Sequence, residues 1–485
     1  MAETLNVDIC VIGAGSGGLS VAAGASQLGA TVALIEKDRM GCDCLNFGCV
    51  PSKAMLAAAH AAETVRTAGR FGVKDFEPEI DAKGVYGHIK GVIQAIEPND
   101  SVERFEGMGV TVIKGEGRFT GLGTIEVNDV RITARRFVVA TGSKPFVPPI
   151  PGLADAGYYT NETVFDADAL PEHLIVVGGG PIGMEMAQAH RQLGAKVTVL
   201  EMFSIMPKDD PELVDVVRRQ LVSEGIDILE GVVVKGAEKT AQGVRVTYEA
   251  AEGSVVGGGA AREEKSIEGS HILAAAGRRA SVGGLGLEAA GIRYSDKGIE
   301  VDARLRTSNK RVFAIGDVTG GMQFTHVAGY HAGVVIKNAL FRWPAKADTR
   351  AIPWVTYTAP ELAQVGLTEM EAKAKAVGAF RILRWPYHEN DRAQTEKATE
   401  GMVKAVVTAR GRILGCGIAG AGAGELIQTW VLAINQKIKI GALAQMVVPY
   451  PTLGEVSKRA AGSFYTASLF SERTRKIVRF LSRFG

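Results

Sequence analysis

An α/β fold carrying two parallel-sheet nucleotide units is predicted by three features of the chain. A strand, glycine loop, helix, strand and acid recur in one order and spacing. The 485 residues are enough for three or four ordinary domains, and the patterning changes in the C-terminal part. The first unit opens with the apolar run Val7 to Ile12. Gly13-Ala14-Gly15-Ser16-Gly17-Gly18 follows, then a small-residue helix to about Leu28 and a strand from Thr31 to Ile35 that ends at Glu36. The second unit runs from Leu174 to Val177 into Gly178-Gly179-Gly180-Pro181-Ile182-Gly183, a helix, and a strand from Lys196 to Leu200 ending at Glu201. First glycine to acid is 23 residues in both. Gly13, Gly15 and Gly18, like Gly178, Gly180 and Gly183, let backbone approach a pyrophosphate on a helix N-terminus, while the acid takes a ribose diol. One such loop would be weak evidence. Two complete units predict two Rossmann-like domains, each binding a dinucleotide.

Glu201 stands where the 2′-phosphate of NADPH would lie, and Met202 to Pro207 supply no Arg to receive it. NADH is therefore expected at the second site, and NADPH is disfavoured. Shortly after the first unit comes Gly41-Cys42-Asp43-Cys44-Leu45-Asn46-Phe47-Gly48-Cys49-Val50-Pro51-Ser52-Lys53, ahead of an Ala-rich helical stretch from Ser52 to Ala62. In a regular helix, positions five apart such as Cys44 and Cys49 differ by about 7.5 Å in rise and point roughly 140° apart. A disulfide holds Cα atoms within roughly 4.4–6.8 Å, so a bridge needs a distorted turn, which Gly48 can supply. A strained local disulfide is reducible and suits catalysis; two buried free thiols are the other reading. Coupled to that pair, the first site is expected to hold a flavin, which accepts a hydride and passes an electron pair to sulfur.

With these motifs the chain resembles the flavin-dependent pyridine nucleotide–disulfide oxidoreductases, the family of lipoamide dehydrogenase, glutathione reductase and mercuric reductase. The resemblance extends over essentially the whole length. It includes Ala140-Thr141-Gly142, Ala276-Gly277-Arg278, the run Thr307 to Asp317, and Tyr357 to Gly366, which opens the dimerisation domain in relatives. It implies FAD at the first site, with Thr141, Gly142 and Asp317 among its contacts, Asp317 on the ribityl chain. It also implies a homodimer. Residues 1–147 are expected to form the first part of the FAD domain, with a helical excursion from Ser52 to Glu97. Residues 148–277 would form the NAD(H) domain, entered through the Pro-rich stretch Pro145 to Pro151. Residues 278–345 would return to the FAD or central domain, and 346–485 would form an α+β dimerisation domain, antiparallel from about Ala351. Glu252 to Lys265 reads as an exposed hairpin loop.

Composition agrees. A hydrophobic content of 46% and 60 glycines suit a globular enzyme with several cofactor loops. A net charge of +2 is itself neutral on nucleic acid, and with no long basic block before the extreme C-terminus no such partner is expected. The five cysteines (Cys10, Cys42, Cys44, Cys49, Cys416) are too few and too clustered for a disulfide framework, so a cytoplasmic location is expected. Met1 to Asn6 lacks the pattern of a signal peptide. Ile9 to Ile35 holds no charge, but its glycines and its strand-to-helix switch fit the dinucleotide unit, not a membrane span.

The resemblance also implies roles. Cys49 would lie against the flavin as the charge-transfer thiolate, and Cys44 would be the interchange thiol that meets substrate. Lys53 would sit near flavin N5, paired with Glu185, keeping positive charge beside the reduced flavin. Arg278 would help hold the nicotinamide dinucleotide, a surface position being the alternative. The departures from the family pattern matter as much. Dithiol and disulfide reductases of the family use His-Pro-Thr-x-x-Glu, with His as acid–base. Here the segment is Tyr450-Pro451-Thr452-Leu453-Gly454-Glu455, and the last of eight histidines is His388. A tyrosine of pKa near 10 is a poor base at neutral pH. Mercuric reductases have Tyr there, facing a metal ion, but also a C-terminal cysteine pair, and here no cysteine follows Cys416. Cys42, where most relatives have Gly, is either a third thiol able to shuttle a soft metal or resolve a mixed disulfide, or a small residue tolerated in a loop. Cys10, Cys416 and His326 are expected to pack.

Finally, Arg473, Arg475, Lys476, Arg479 and Arg483 accompany Ile477, Phe480, Leu481 and Phe484 at helical spacing. The helix over 472–485 either contacts a membrane surface or partner, or packs on its own dimer. The reading is thus an FAD-dependent NAD(P)H oxidoreductase of the mercuric-reductase-like branch. Its acceptor would be a small molecule or a soft metal ion, bound transiently at Cys44 and Cys49, and no structural metal is expected. Two alternatives stay open: a dihydrolipoamide dehydrogenase or small-disulfide reductase, and a low-turnover redox sensor or complex subunit.

Overall fold

A computed structural model describes residues 3–252 and 263–484. The expected hairpin loop Glu252 to Lys265 falls largely on residues 253–262, outside the described residues. The uncharged run at the N-terminus forms the strand Glu3–Ile12, the helix Ser16–Gln27 and the strand Val32–Glu36. Among the described residues no helix is long and apolar enough to cross a membrane.

Of the six sheets among the described residues, three organise the site. The first has the order Val110–Lys114, Val32–Glu36, Glu3–Ile12, Val130–Val139, Thr124–Val127, Arg118–Gly121, and Val312–Ala314 pairs beside Val130–Val139. Its central strands are parallel and in register at Ile12↔Ile35 and Ile12↔Val139, so their carboxyl ends share one edge. Apolar side chains cover both faces, as a parallel sheet requires: Val11, Leu34 and Val138 on one, Cys10, Ile35 and Phe137 on the other. The second sheet repeats the plan with Ile226–Glu230, Lys196–Glu201, His173–Val177 and His271–Ala274, all parallel. The chain crosses between the two twice. The strands Ser143–Pro145 and Arg278–Ala280 run antiparallel to each other, so both crossings form one ribbon.

The third sheet is antiparallel, in the order Pro353–Thr356, Glu361–Gly366, Ile413–Gly420, Met402–Thr408, Phe380–Pro386. Helices Ala423–Asn435 and Glu455–Leu469 pack on it around Trp430, whose indole N–H donates to Ser457 Oγ at 3.0 Å. Cys416 lies in this core and Cys10 in the first, so both pack as expected. A buried ionic knot ties the third unit to the second. Lys404, 6% exposed, places Nζ 2.9 Å from Asp210, 2.8 Å from Glu212 and 3.0 Å from Glu369. Arg384 grips Glu212 with Nε and Nη2 at 2.8 and 2.9 Å. Asp210 also caps the helix Pro211–Ser223 by accepting from the Glu212 N–H.

Candidate active site

One cleft of about 2200 Å³ runs along the carboxyl edges of the two parallel sheets and past the cysteine segment. It exceeds the roughly 300–1,000 Å³ of a single small-molecule pocket. Gly13, Gly15, Glu36, Cys44, Cys49, Lys53, Thr141, Gly142, Gly178, Gly180, Glu185, Glu201, Arg278 and Asp317 all border it.

The two glycine loops repeat one backbone plan. Gly13 and Gly178 have φ of +102° and +116°, and a Cβ on either would lie 2.5 Å from a carbonyl oxygen, Ala140 O or Ala275 O. A Cβ on Gly18 or Gly183 would lie 1.8 or 2.1 Å from the oxygen of Gly13 or Gly178, so helix and loop close only without side chains. Gly180 has nothing within 4 Å, and Gly15 meets only Cys42, so these face the cleft. The acids repeat too: Glu36 accepts from Ala14 N–H at 2.6 Å and Glu201 from Gly179 N–H at 2.5 Å. Such bare backbone at the N-termini of helices Ser16–Gln27 and Pro181–Gln192 fits two pyrophosphates, as two dinucleotides require. Thr141 Oγ1 donates to Ser281 O at 2.9 Å, bracing the loop beside Gly142.

The cysteine segment folds as two helices, Cys42–Asn46 and Cys49–Arg66, broken at Phe47 and Gly48. The break is the distorted turn expected at Gly48, whose missing Cβ would lie 3.0 Å from Asp43 O. The second helix begins at Cys49, three residues before the expected Ser52. Pro51 does not stop it, because a first-turn residue needs no N–H. Cys49 is exposed and Cys44 half-buried, both as free thiols. A hydrogen bond from Cys44 pulls the Cys49 thiol down to about 6, and Thr325 and the charge of Lys53 add to it. The same contact and burial push Cys44 up. Cys49 Sγ lies 3.6 Å from Thr325 Oγ1, the first residue of helix Thr325–Ala339, so a positive helix end faces the thiolate.

Lys53 Nζ meets Glu185 Oε2 at 2.7 Å and lies 4.4 Å from the centre of the Tyr357 ring. Glu185 Oε1 accepts the Tyr357 N–H at 2.9 Å. The expected pair is thus formed, with Tyr357 as a third member. Asp317 accepts from Ser143 Oγ at 2.7 Å, and burial pushes its carboxyl up. Arg278 is 11% exposed. Its Nε donates to Ser143 Oγ at 2.7 Å and its Nη2 to Ser143 O at 3.0 Å. The guanidinium also reaches Asn161 Oδ1 at 3.4 Å and Asp43 Oδ1 at 3.1 Å. Three of its five N–H groups are thus spent, two across the crossing ribbon and one on Asn161, and its charge reaches the cysteine helix at Asp43. Asn161 adds a bond to Asp43 Oδ1 at 3.0 Å. Cys42, at φ 44°, turns its thiol to Glu36 Oε2 at 3.1 Å, and burial pushes it up. His326 bonds Pro353 O at 2.8 Å and stacks on Phe324.

Tyr450 and Glu455 lie outside the cleft of the single chain. Tyr450 is 70% exposed, and its hydroxyl donates to Asp391 Oδ2 at 2.9 Å, which pushes its pKa up. Glu455 is the first residue of helix Glu455–Leu469.

The model of the pyridine nucleotide-disulphide oxidoreductases matches residues 7–332, and that of their dimerisation domain matches 352–461. Mercuric reductase of Staphylococcus aureus is 33% identical over 460 residues, covering 94% of this chain and 82% of its own. Dihydrolipoyl dehydrogenase of Thermus scotoductus is 35% identical over 472 residues, covering 95% and 98%. Among solved structures, the Cu(II) complex of the HOCl-induced flavoprotein disulfide reductase RclA from Escherichia coli has a TM-score of 0.82 at 26% identity, covering 94% and 99%. LpdA from Mycobacterium tuberculosis has a TM-score of 0.84 at 28% identity, covering 94% and 99%. The chain belongs to the pyridine nucleotide-disulphide oxidoreductase family, FAD-dependent enzymes that draw electrons from NAD(P)H and act on a disulfide or a metal ion.

Proposed function

We propose that the protein is an NADH-dependent flavoprotein reductase that delivers electrons through Cys44 and Cys49 to a soft metal ion. The observation that carries this reading is two thiols at the cleft wall combined with tyrosine, not histidine, at position 450. Thiol–disulfide exchange needs a group that takes and returns a proton near neutral pH. Tyr450, whose proton is held against Asp391, is unsuited to that task. A soft metal ion needs thiolate donors and electrons instead. The relatives named mercuric reductase and the Cu(II) complex of RclA support the same class of acceptor.

In this reading Cys49 is the thiolate on the flavin side and Cys44 the thiol that first meets the acceptor. Lys53, held by Glu185 and Tyr357, keeps a positive charge beside Cys49. Gly13, Gly15, Gly18, Glu36, Thr141, Gly142 and Asp317 hold FAD. Gly178, Gly180, Gly183 and Glu201 hold NADH, and Arg278 braces the ribbon between the two sites. Bound flavin supplies the carrier between a nicotinamide hydride and sulfur. Electrons balance as one NADH to NAD⁺ and H⁺ per divalent ion reduced to the element, or per two Cu(II) reduced to Cu(I). The working unit is a homodimer in which Tyr450 and Glu455 of each copy serve the other's cleft.

Disulfide reduction is the second reading, favoured by Glu455 and by the relatives named dihydrolipoyl dehydrogenase. Steady-state NADH oxidation with Hg(II), Cu(II), lipoamide and glutathione disulfide separates the two. Metal ions should turn over about a hundredfold faster than either disulfide, since they do not need the missing base. Faster turnover of lipoamide would replace this proposal with the second.

A further inference from the structure

The last helix, Glu472–Leu481, buries none of its residues, and every residue from Arg475 to Phe484 is exposed. It begins beyond residue 461, where the match to the dimerisation domain ends. Its start is built locally, by Ser471 Oγ accepting the Thr474 N–H at 3.2 Å. At about 100° per residue, Ile477, Phe480, Leu481 and Phe484 form one face. The rings of Phe480 and Phe484 confirm this, touching edge-on at 5.2 Å between centroids. Arg475, Lys476, Arg479 and Arg483 lie opposite. Arg473 falls within the apolar arc, where a long stem can carry its charge to the boundary. The segment has five basic side chains against one acid, so the remainder of a chain of net charge +2 is net negative.

We propose that this helix docks the enzyme on an anionic lipid surface, apolar face at the acyl boundary and cationic face among the headgroups. Charge decides between lipid and a second copy of this chain. A protein face would have to match four clustered cations one by one with acids placed for them. A uniformly anionic surface accepts them in any register. A helix of this length holds only weakly by itself. A homodimer presents two, and the second then binds at high effective concentration.

The test is flotation of the full-length holoenzyme with phosphatidylcholine vesicles, with and without about one quarter phosphatidylserine. The bound fraction should be roughly tenfold higher on the anionic vesicles and collapse at high salt, where the Debye length nears about 3 Å. It should also be lost in Phe480→Asp/Phe484→Asp and in a chain ending at Ser471. Both variants lie outside the cleft, so unchanged NADH oxidation in solution shows that they fold. Equal recovery of the wild type with both vesicles overturns the proposal. So does undiminished binding by the double variant, or loss of dimeric mass on truncation, which would assign the apolar face to a second copy.

Discussion

At position 450 a phenol stands where thiol exchange calls for an imidazole, and its hydroxyl donates to Asp391. Tyr450→His should therefore raise lipoamide reduction by about 10², the ordinary worth of a general base, without changing flavin reduction by NADH. An unchanged lipoamide rate would place the base elsewhere. At Cys49 the direction of the pKa shift fixes the pH dependence. A thiol pulled down to about 6 is a thiolate above that pH and loses it as pH falls through about 6. Lys53→Met removes a neighbouring positive charge, so the midpoint should move toward alkaline pH. Long-wavelength absorbance of the two-electron-reduced enzyme against pH reads it, and an unmoved midpoint would separate Lys53 from the thiolate. The cysteines, glycines and acids were legible in sequence because each sits in a contiguous motif. Thr325 was not, since it meets Cys49 from 276 residues away. Asp43 lay in view, but its partners Arg278 and Asn161 come from other segments.

The two glycine loops act as elements, and their positions differ in what a side chain would meet. Gly180 faces open space, whereas Gly183 lies against the Gly178 carbonyl. Gly180→Val should leave the fold intact and raise the KM for NADH about tenfold, with kcat retained at saturation. Gly183→Val should dismantle the loop and lower thermal stability as well. Equal behaviour of the two variants in binding and melting experiments would contradict this assignment. Both units were legible because strand, loop, helix and acid follow one another within a few tens of residues. The start of the cysteine helix was not, because its N-cap is Gly48, which offers no side-chain capping bond to mark it. Nor was the turn of Cys42 toward Glu36, which sets its thiol among the groups around Glu36.

Across the whole molecule, the knot around Lys404 fastens the second unit to the third. Lys404→Met strips buried Asp210 of its cation, leaves Glu212 and Glu369 to Arg384 and Lys373, and should cost about 3 kcal/mol in denaturant unfolding. A loss near zero would make the knot dispensable. Arg384, with Lys404 beside it, pulls the Glu212 carboxyl down to about 2 from an ordinary 4.5. A depressed acid stabilises above its unfolded pKa, so this contribution is complete above about pH 4.5 and fades as pH falls toward 2. The knot was invisible in sequence because its members are scattered from Asp210 to Lys404 over two helices and one sheet. The antiparallel third unit was legible from its change of pattern near Ala351. Passage of electrons from NADH through Cys49 and Cys44 to a metal ion can be followed by anaerobic NADH titration of the holoenzyme and then separate addition of Hg(II), Cu(II), lipoamide and glutathione disulfide. A long-wavelength band should appear that is absent in Cys49→Ser and is discharged rapidly by a metal ion but not by either disulfide. A band discharged rapidly by lipoamide and left standing by the metal ions would contradict that route.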